Sequence, residues 1–448
     1  MQQQREASGE INKMADEKRQ TRTIAIGTIA RVEGEGALRV TVKDGEVCDV
    51  ELRIFEPPRF FEAFLVGRHY DEVPDIVARI CGICPVAYQM SAVHALEQIF
   101  AVRVEGALRD LRRMIYCGEW IESHTLHVYM LHAPDFFGYA SAIAMAKDHP
   151  EIVTRGLRLK KAGNALMTLL GGRSVHPVSV KVGGFSRVPL RRELEGLKEE
   201  LLWARDAAVE TVRWVAGFDY PDCAQDYTFV ALHPPDEYPF NEGPILSSGG
   251  LNISAVEFEQ HFREEQVPYS TALQCRLNGA SYLVGPLARL NLNHDHLSPL
   301  ARQALADTGL SLPLRNPFHA IVARSVEILY AIEETLRIID SYETPPNPSV
   351  PVTVRAGIGM ACTEAPRGML YHRYRVNGDG LICEAKIVPP TSQNQRRIEE
   401  DLRAYLPRVL DLSNEEAALR CEKVIRCYDP CISCATHFLR LEVCEATA

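Results

Sequence analysis

No stretch of the 448-residue chain approaches the roughly 18 to 20 consecutive apolar residues a membrane-spanning helix needs. Basic residues are in deficit, 49 Lys and Arg against 59 Asp and Glu. The net charge of -10 argues against the basic face of a nucleic-acid binder. No Gly-x-Gly-x-x-Gly element follows a strand, so no dinucleotide pocket is expected. Internal repeats, low-complexity blocks and a clear domain boundary are absent. Met1 to Arg22 is polar, without the apolar core of a secretory signal, and reads as a mobile tail. The 13 cysteines are odd in number and irregularly spaced. That excludes a disulfide framework and fits a reducing compartment, the cytoplasm.

What is present is enough chain for a large core, with 46% hydrophobic and 24% charged residues. Residues 23–437 read as one mainly α, multihelical domain with small antiparallel β elements. Thr23 to Val50 alternates in short β-rich runs around a turn at Asp44-Gly45. Helical periodicity then predicts helices over 57–67, 72–80, 85–100, 104–131, 138–147, 150–170, 190–217, 254–264, 296–308 and 316–342. Asn316-Pro317 suits the start of the last. Residues 218–250 read as loops with short strands and 353–390 as a second small sheet turning at Asn377-Gly-Asp-Gly380. A later helix opens on the capping box Ser413-Asn-Glu-Glu416.

Two Cys-x-x-Cys elements lie near opposite ends of the chain: Cys81-Gly-Ile-Cys84 and Cys431-Ile-Ser-Cys434. Four thiolates suffice for a soft metal or a cluster. Cysteines at i and i+3 share one side of a helical turn. Pro85, and Asp429 with Pro430, suit helix starts, whose N–H groups favour thiolate. Three other readings stay open: buried packing by small apolar thiols, a structural zinc site, and a redox pair, though no βαβ pattern surrounds either element. The other cysteines are scattered and complete no iron–sulfur pattern.

Arg79-x-Cys-Gly-x-Cys84 and Asp429-Pro-Cys-x-x-Cys-x-x-His437 resemble the two signature motifs of the nickel–iron hydrogenase large subunit. Arg31-Val-Glu-Gly34, Gly171-Gly-Arg-x-x-His-Pro177, Gly285-Pro-Leu-Ala-Arg289 and Thr363-Glu-Ala-Pro-Arg-Gly368 follow in that family's order, so the likeness spans nearly the whole chain. Val388-Pro-Pro-Thr-Ser-Gln-Asn394 and Cys84-Pro-Val-Ala-Tyr88 are similar to the soluble branch coupled to NAD(P), the sulfhydrogenase type.

The resemblance implies a catalytic subunit that interconverts dihydrogen with protons and electrons. Cys81 and Cys431 become terminal nickel ligands. Cys84 and Cys434 bridge to an iron carrying carbon monoxide and cyanide. Glu33 becomes the proton-relay carboxylate, Arg367 the arginine over the metals, and Asp429 the residue that fixes that arginine or caps the helix. Thr391 and Pro366 are implied contacts of the cofactor. Glu62, a carbonyl near Lys386 and His437 are implied ligands of magnesium, or of iron. Two departures stand out: Tyr88 where the family often has histidine, and Pro390 where a hydroxyl often meets cyanide, with Thr391 as its substitute. His124 and His127, one turn apart, line a partner interface or sit satisfied in the core. Electrons leave through partners: an iron–sulfur small subunit, and flavin and NAD(P)-reducing subunits. Nickel-insertion proteins and a maturation protease are implied as well, with Phe438 to Ala448 trimmed after nickel insertion. The alternatives are a hydrogen-sensing homologue, a metal-free relative in a quinone-reducing complex, and a non-enzymatic four-thiolate zinc protein.

Overall fold

The computed structural model describes residues 21–436. The expected tail boundary shifts slightly: residues 21 and 22 already belong to the first strand, Thr21–Ile26. That strand pairs antiparallel with Gly36–Lys43, which pairs with Glu46–Ile54. The connecting turn uses Asp44 and Gly45, both at positive φ, 53° and 82°. This is the backbone twist a two-residue hairpin requires. The alternating faces of these strands bury Ile24, Leu38, Val40, Val50 and Leu52.

The centre of the molecule is a bundle of long helices: Pro85–Phe100, Gly106–Thr125, Pro150–Gly171, Lys198–Ala216 and Ala320–Ser341. Gly106–Thr125 packs against both Pro150–Gly171 and Ala320–Ser341. It continues as a π-helical stretch, Leu126–His132, carrying His127 and His132. No helix among the described residues is long and apolar enough to cross a membrane.

The second sheet joins Gly357–Ala365, Gly368–Val376 and Ile382–Val388 in antiparallel order. Ala365 pairs with Gly368, so Pro366 and Arg367 form the tip of a two-residue hairpin. The other turn sits at Asn377, whose Oδ1 accepts from the N–H groups of Asp379 and Leu381 at 3.0 and 2.9 Å.

Several expected elements differ. The helix over 57–67 shrinks to Phe61–Leu65, that over 138–147 to Ala142–Met145, and that over 296–308 to Pro299–Asp307. The span 190–217 breaks at Gly196 into Arg191–Glu195 and Lys198–Ala216. Over 254–264 only short turns form before the chain becomes a strand, Phe262–Gln266, paired with Leu273–Leu277. Phe262, the first residue of that strand, is buried and stacks against Phe258, ring centroids 4.4 Å apart. Among the described residues three unexpected α-helices appear, Ala133–Phe137, Pro286–Asn293 and Pro390–Tyr405.

Candidate metal centre

Both ends of the chain deliver thiols to one buried point. Cys81 follows the short turn Ala78–Ile80 in an extended conformation, and Cys84 is the N-cap of Pro85–Phe100 with Pro85 at its first position. This pair therefore spans a loop and not the helical turn its spacing suggested. Cys431 is the extended N-cap of the single turn Ile432–Ala435, which carries Cys434. The expected cap at Asp429-Pro430 is corrected: Asp429 lies in the left-handed region, φ 51°, and Pro430 precedes the cap.

The four sulfurs lie within 4.8 Å of one another, all buried. Cys81 Sγ is 3.5 Å from Cys431 Sγ, and Cys84 Sγ is 3.9 Å from Cys434 Sγ. Sulfurs held tetrahedrally about 2.3 Å from a soft ion stand about 3.8 Å apart, so these two edges fit such an ion. The Cys431–Cys434 edge is shorter, 2.6 Å.

Hydrogen bonds from its three neighbours, Cys431 first, pull the Cys81 thiol well below its usual range. Burial pushes Cys431 and Cys434 up. Cys84 also lies high: its bond with Cys431 pulls down, while Cys434, Cys81 and burial push up. Cys81 is thus the most acidic member of the cluster. The remaining protons leave when a cation arrives to replace them.

Glu33 reaches this cluster from the loop before the second strand. Cys431 Sγ donates to its Oε2 at 2.9 Å, and the Ser433 N–H reaches the same oxygen at 3.1 Å. The Ile432 N–H donates to the Glu33 carbonyl at 2.9 Å. Gly34, at φ 85°, makes this approach possible: a Cβ there would stand 2.8 Å from Ile432 Cβ and 2.9 Å from Ser433 N. Ser433 Oγ donates to Glu56 Oε1 at 2.8 Å, so the residue whose N–H meets Glu33 also holds a second, half-buried carboxylate.

On the other side the hairpin tip brings in Arg367. Its Nε donates to the Asp429 carbonyl at 2.7 Å and its Nη2 to Asp429 Oδ1 at 3.1 Å. Asp429 therefore holds the arginine and caps no helix. Burial works against the Arg367 charge, but Asp429 and then Cys431 and Cys84 outweigh it and hold the cation firmly. Its Nη1 is buried without a partner among the described residues. The tip is braced from behind by fully buried Arg289, which donates to Glu327 twice at 2.7 Å, to Glu364 at 3.0 Å, and to the carbonyls of Ala365 and Pro366 at 2.8 and 2.9 Å. Removing one partner of such a buried ion pair costs about 3–5 kcal/mol.

Thr391 Oγ1 accepts from the Cys431 N–H at 3.0 Å, which leaves its own proton for another acceptor. Tyr88 is buried with its hydroxyl against Cys434. Burial, then the charge of Cys434, pushes its pKa well up and keeps it a donor. Glu62 lies apart from the thiols and accepts the Ile387 N–H at 2.7 Å, meeting the peptide that also carries the Lys386 carbonyl. His437 and the 438–448 extension lie outside the described residues, as does the 1–20 segment. His124 and His127 are core histidines. His124 Nε2 pairs with Glu327 at 2.9 Å and His127 Nε2 meets the Arg426 carbonyl at 2.7 Å.

Sequence reasoning missed Glu56, Arg59 and Glu119. Glu119 accepts the N–H groups of Val86 and Ala87 at 2.6 and 3.1 Å, and so fixes the helix start beside Cys84. Its only signal was a carboxylate in an otherwise apolar helical stretch; Glu56 and Arg59 gave none.

Comparison with known proteins agrees with this geometry. The family model for nickel-dependent hydrogenase matches residues 59–155 and 247–437. The chain is 34% identical over 423 residues to the sulfhydrogenase 2 subunit alpha of Pyrococcus furiosus, covering 93% of this chain and 100% of the relative. It is 29% identical over 482 residues to the NAD-reducing hydrogenase HoxS subunit beta of Cupriavidus necator, covering 94% and 95%. Its fold is similar to a crystal structure of an NAD+-reducing [NiFe]-hydrogenase in the H2-reduced state, with TM-score 0.83, 26% identity, and coverage of 93% and 100%.

Proposed function

The chain belongs to the nickel-dependent hydrogenase family and is a large, catalytic hydrogenase subunit; from that premise we propose how its own residues perform the reaction. The zinc-protein, metal-free and sensory readings are not favoured by the family and its named hydrogenase relatives. The observation that carries the proposal is the convergence of four buried sulfurs from both chain ends, with a carboxylate on one side and an arginine on the other.

Cys81, Cys84, Cys431 and Cys434 would hold a nickel–iron centre. When bound, that centre supplies the redox-active Lewis acid at which dihydrogen is split heterolytically. The donor set fits it: soft thiolates suit nickel, and the unpaired Arg367 Nη1 and the Thr391 hydroxyl suit the nitrogen of cyanide on iron. The Cys431 sulfur takes the proton and hands it across 2.9 Å to Glu33 Oε2. Glu56, which accepts the Ser433 hydroxyl on the same turn, is the neighbouring carboxylate. Arg367, anchored by Asp429, keeps a fixed positive charge beside the reacting atoms, and Pro366 shapes the tip that presents it. Glu62, the Lys386 carbonyl and His437 would hold magnesium, or iron.

The electrons pass to an iron–sulfur small subunit and on to NAD(P) through flavin-containing partners; the NAD-reducing relatives support NAD as the acceptor. Segment 438–448 is removed by a protease after nickel insertion, in the cytoplasm. Purified protein should contain nickel and iron in equal amount and show infrared bands of carbon monoxide and cyanide. Zinc in their place, or no bands, would overturn the reading.

A further inference from the structure

The two cysteine pairs share one further contact outside the metal ligands. Arg59 Nη2 donates to the Ile80 carbonyl at 2.5 Å and also to the Ser433 carbonyl. Ile80 immediately precedes Cys81, and Ser433 immediately precedes Cys434. The Arg59 main-chain N–H donates to the Thr436 carbonyl at 2.6 Å, at the end of the same turn. The guanidinium packs 5.3 Å from the Phe61 ring centroid, which limits its freedom.

We infer that Arg59 is a positioning residue: a latch that closes the carboxyl-terminal cysteine turn onto the amino-terminal cysteine loop. The physical reason is the short lever. Each accepting carbonyl is one residue from a thiol, so the reach of one nitrogen sets the gap between Cys81 and Cys434. The turn Ile432–Ala435 is too short to hold its own position, because a single turn makes few internal hydrogen bonds. It is received instead by Glu33, Glu56, Thr391 and Arg59. Arg59 alone among these also touches the other cysteine segment. Nη2 serves both acceptors through two hydrogens fixed in the guanidinium plane, where a lysine ammonium on a flexible stem is less well held.

The inference rests on the reading of the four thiols as metal ligands, and the test separates the two. In the metal-free full chain, iodoacetamide labelling is followed cysteine by cysteine. Arg59→Ala should raise the rate at Cys431 and Cys434 by about tenfold, the scale of one lost charge-assisted hydrogen bond, while buried Cys117 and Cys421 stay protected. Arg59→Lys should recover part of that protection. In the loaded protein, Arg59→Ala should speed nickel loss to a chelator by a similar factor. Unchanged labelling at Cys431 and Cys434, or an equal rise at Cys117 and Cys421, overturns the latch. Should the protein prove to hold no nickel, the metal reading fails while the labelling arm still decides the latch.

Discussion

At the scale of single residues, the chemistry rests on where protons are held. Without the likeness carried by Arg31-Val-Glu-Gly34, Glu33 reads as a solvated strand-end carboxylate. The structure puts its Oε2 against Cys431 Sγ at 2.9 Å. Glu33→Gln keeps the shape and a polar contact but cannot accept and release the proton. Nickel and iron content should stay at wild-type level, while hydrogen uptake falls about 100-fold or more, the scale of a lost general acid–base group. Normal uptake would remove Glu33 from the path. His124 gives a prediction of stability. Burial, ahead of the opposing pull of Glu327, lowers its pKa to about 4. Unfolded, it titrates near about 6.5. The unfolded state binds the proton first, so stability is lost as pH falls from about 6.5 to about 4. At pH 5 the loss is about 2 kcal/mol. His124→Asn should flatten the fall in thermal midpoint between pH 7 and pH 5; an unchanged slope would show that other groups govern it.

At the scale of elements, legibility followed periodicity. Pro85–Phe100 begins and ends where the apolar pattern and its proline place it, and the Ser413 capping box opens Asn414–Cys427 as expected. Pro390–Tyr405 was illegible because its buried face is polar. Gln393, Asn394, Gln395, Glu399 and Asp401 are buried, and their partners come from distant segments: Gln393 Nε2 bonds the Met369 carbonyl at 2.5 Å, and Asn394 Oδ1 accepts the Val284 N–H at 2.9 Å. No local pattern encodes such pairings. The same holds for the candidate site. Its thiols were legible as two spaced pairs, but Arg59 and Glu56 act through carbonyls and hydroxyls that only the fold brings near. The hairpin tip offers a test at this scale. Gly368 sits at φ 136°, and a Cβ there would meet Val284 Cγ2 at 2.5 Å and Gly285 N at 2.9 Å. Gly368→Ala should push the tip away and cost about 1–3 kcal/mol. Because Arg367 is the preceding residue, cyanide infrared bands should shift and turnover should drop together. Unshifted bands with full turnover would show that the tip tolerates the displacement.

At the scale of the whole molecule, the described residues hold the thiol cluster but no second metal site through which electrons could leave. Among the described residues, the four site cysteines are the only group of three or more His, Cys, Asp or Glu side chains placed to hold a metal. Cys117, Cys223, Cys275, Cys362, Cys421 and Cys427 are buried singly, and Cys48 is exposed. Burial pushes Cys117 and Cys421 up to about 12, and neither stands in a group of described side chains placed to hold a metal. Heterolytic splitting needs only the metal centre and a base, whereas net oxidation needs an outlet for two electrons. The two activities should therefore separate when the metal-loaded chain is freed from its partners. Exchange of deuterium gas with protons of water should persist, since it requires only the Cys431–Glu33 route. Reduction of a viologen dye should be lost, and should return when the iron–sulfur partner is added back. Dye reduction by the separated chain at the rate of the complex would mean that electrons leave directly from the buried site, and would remove the requirement for a partner cluster.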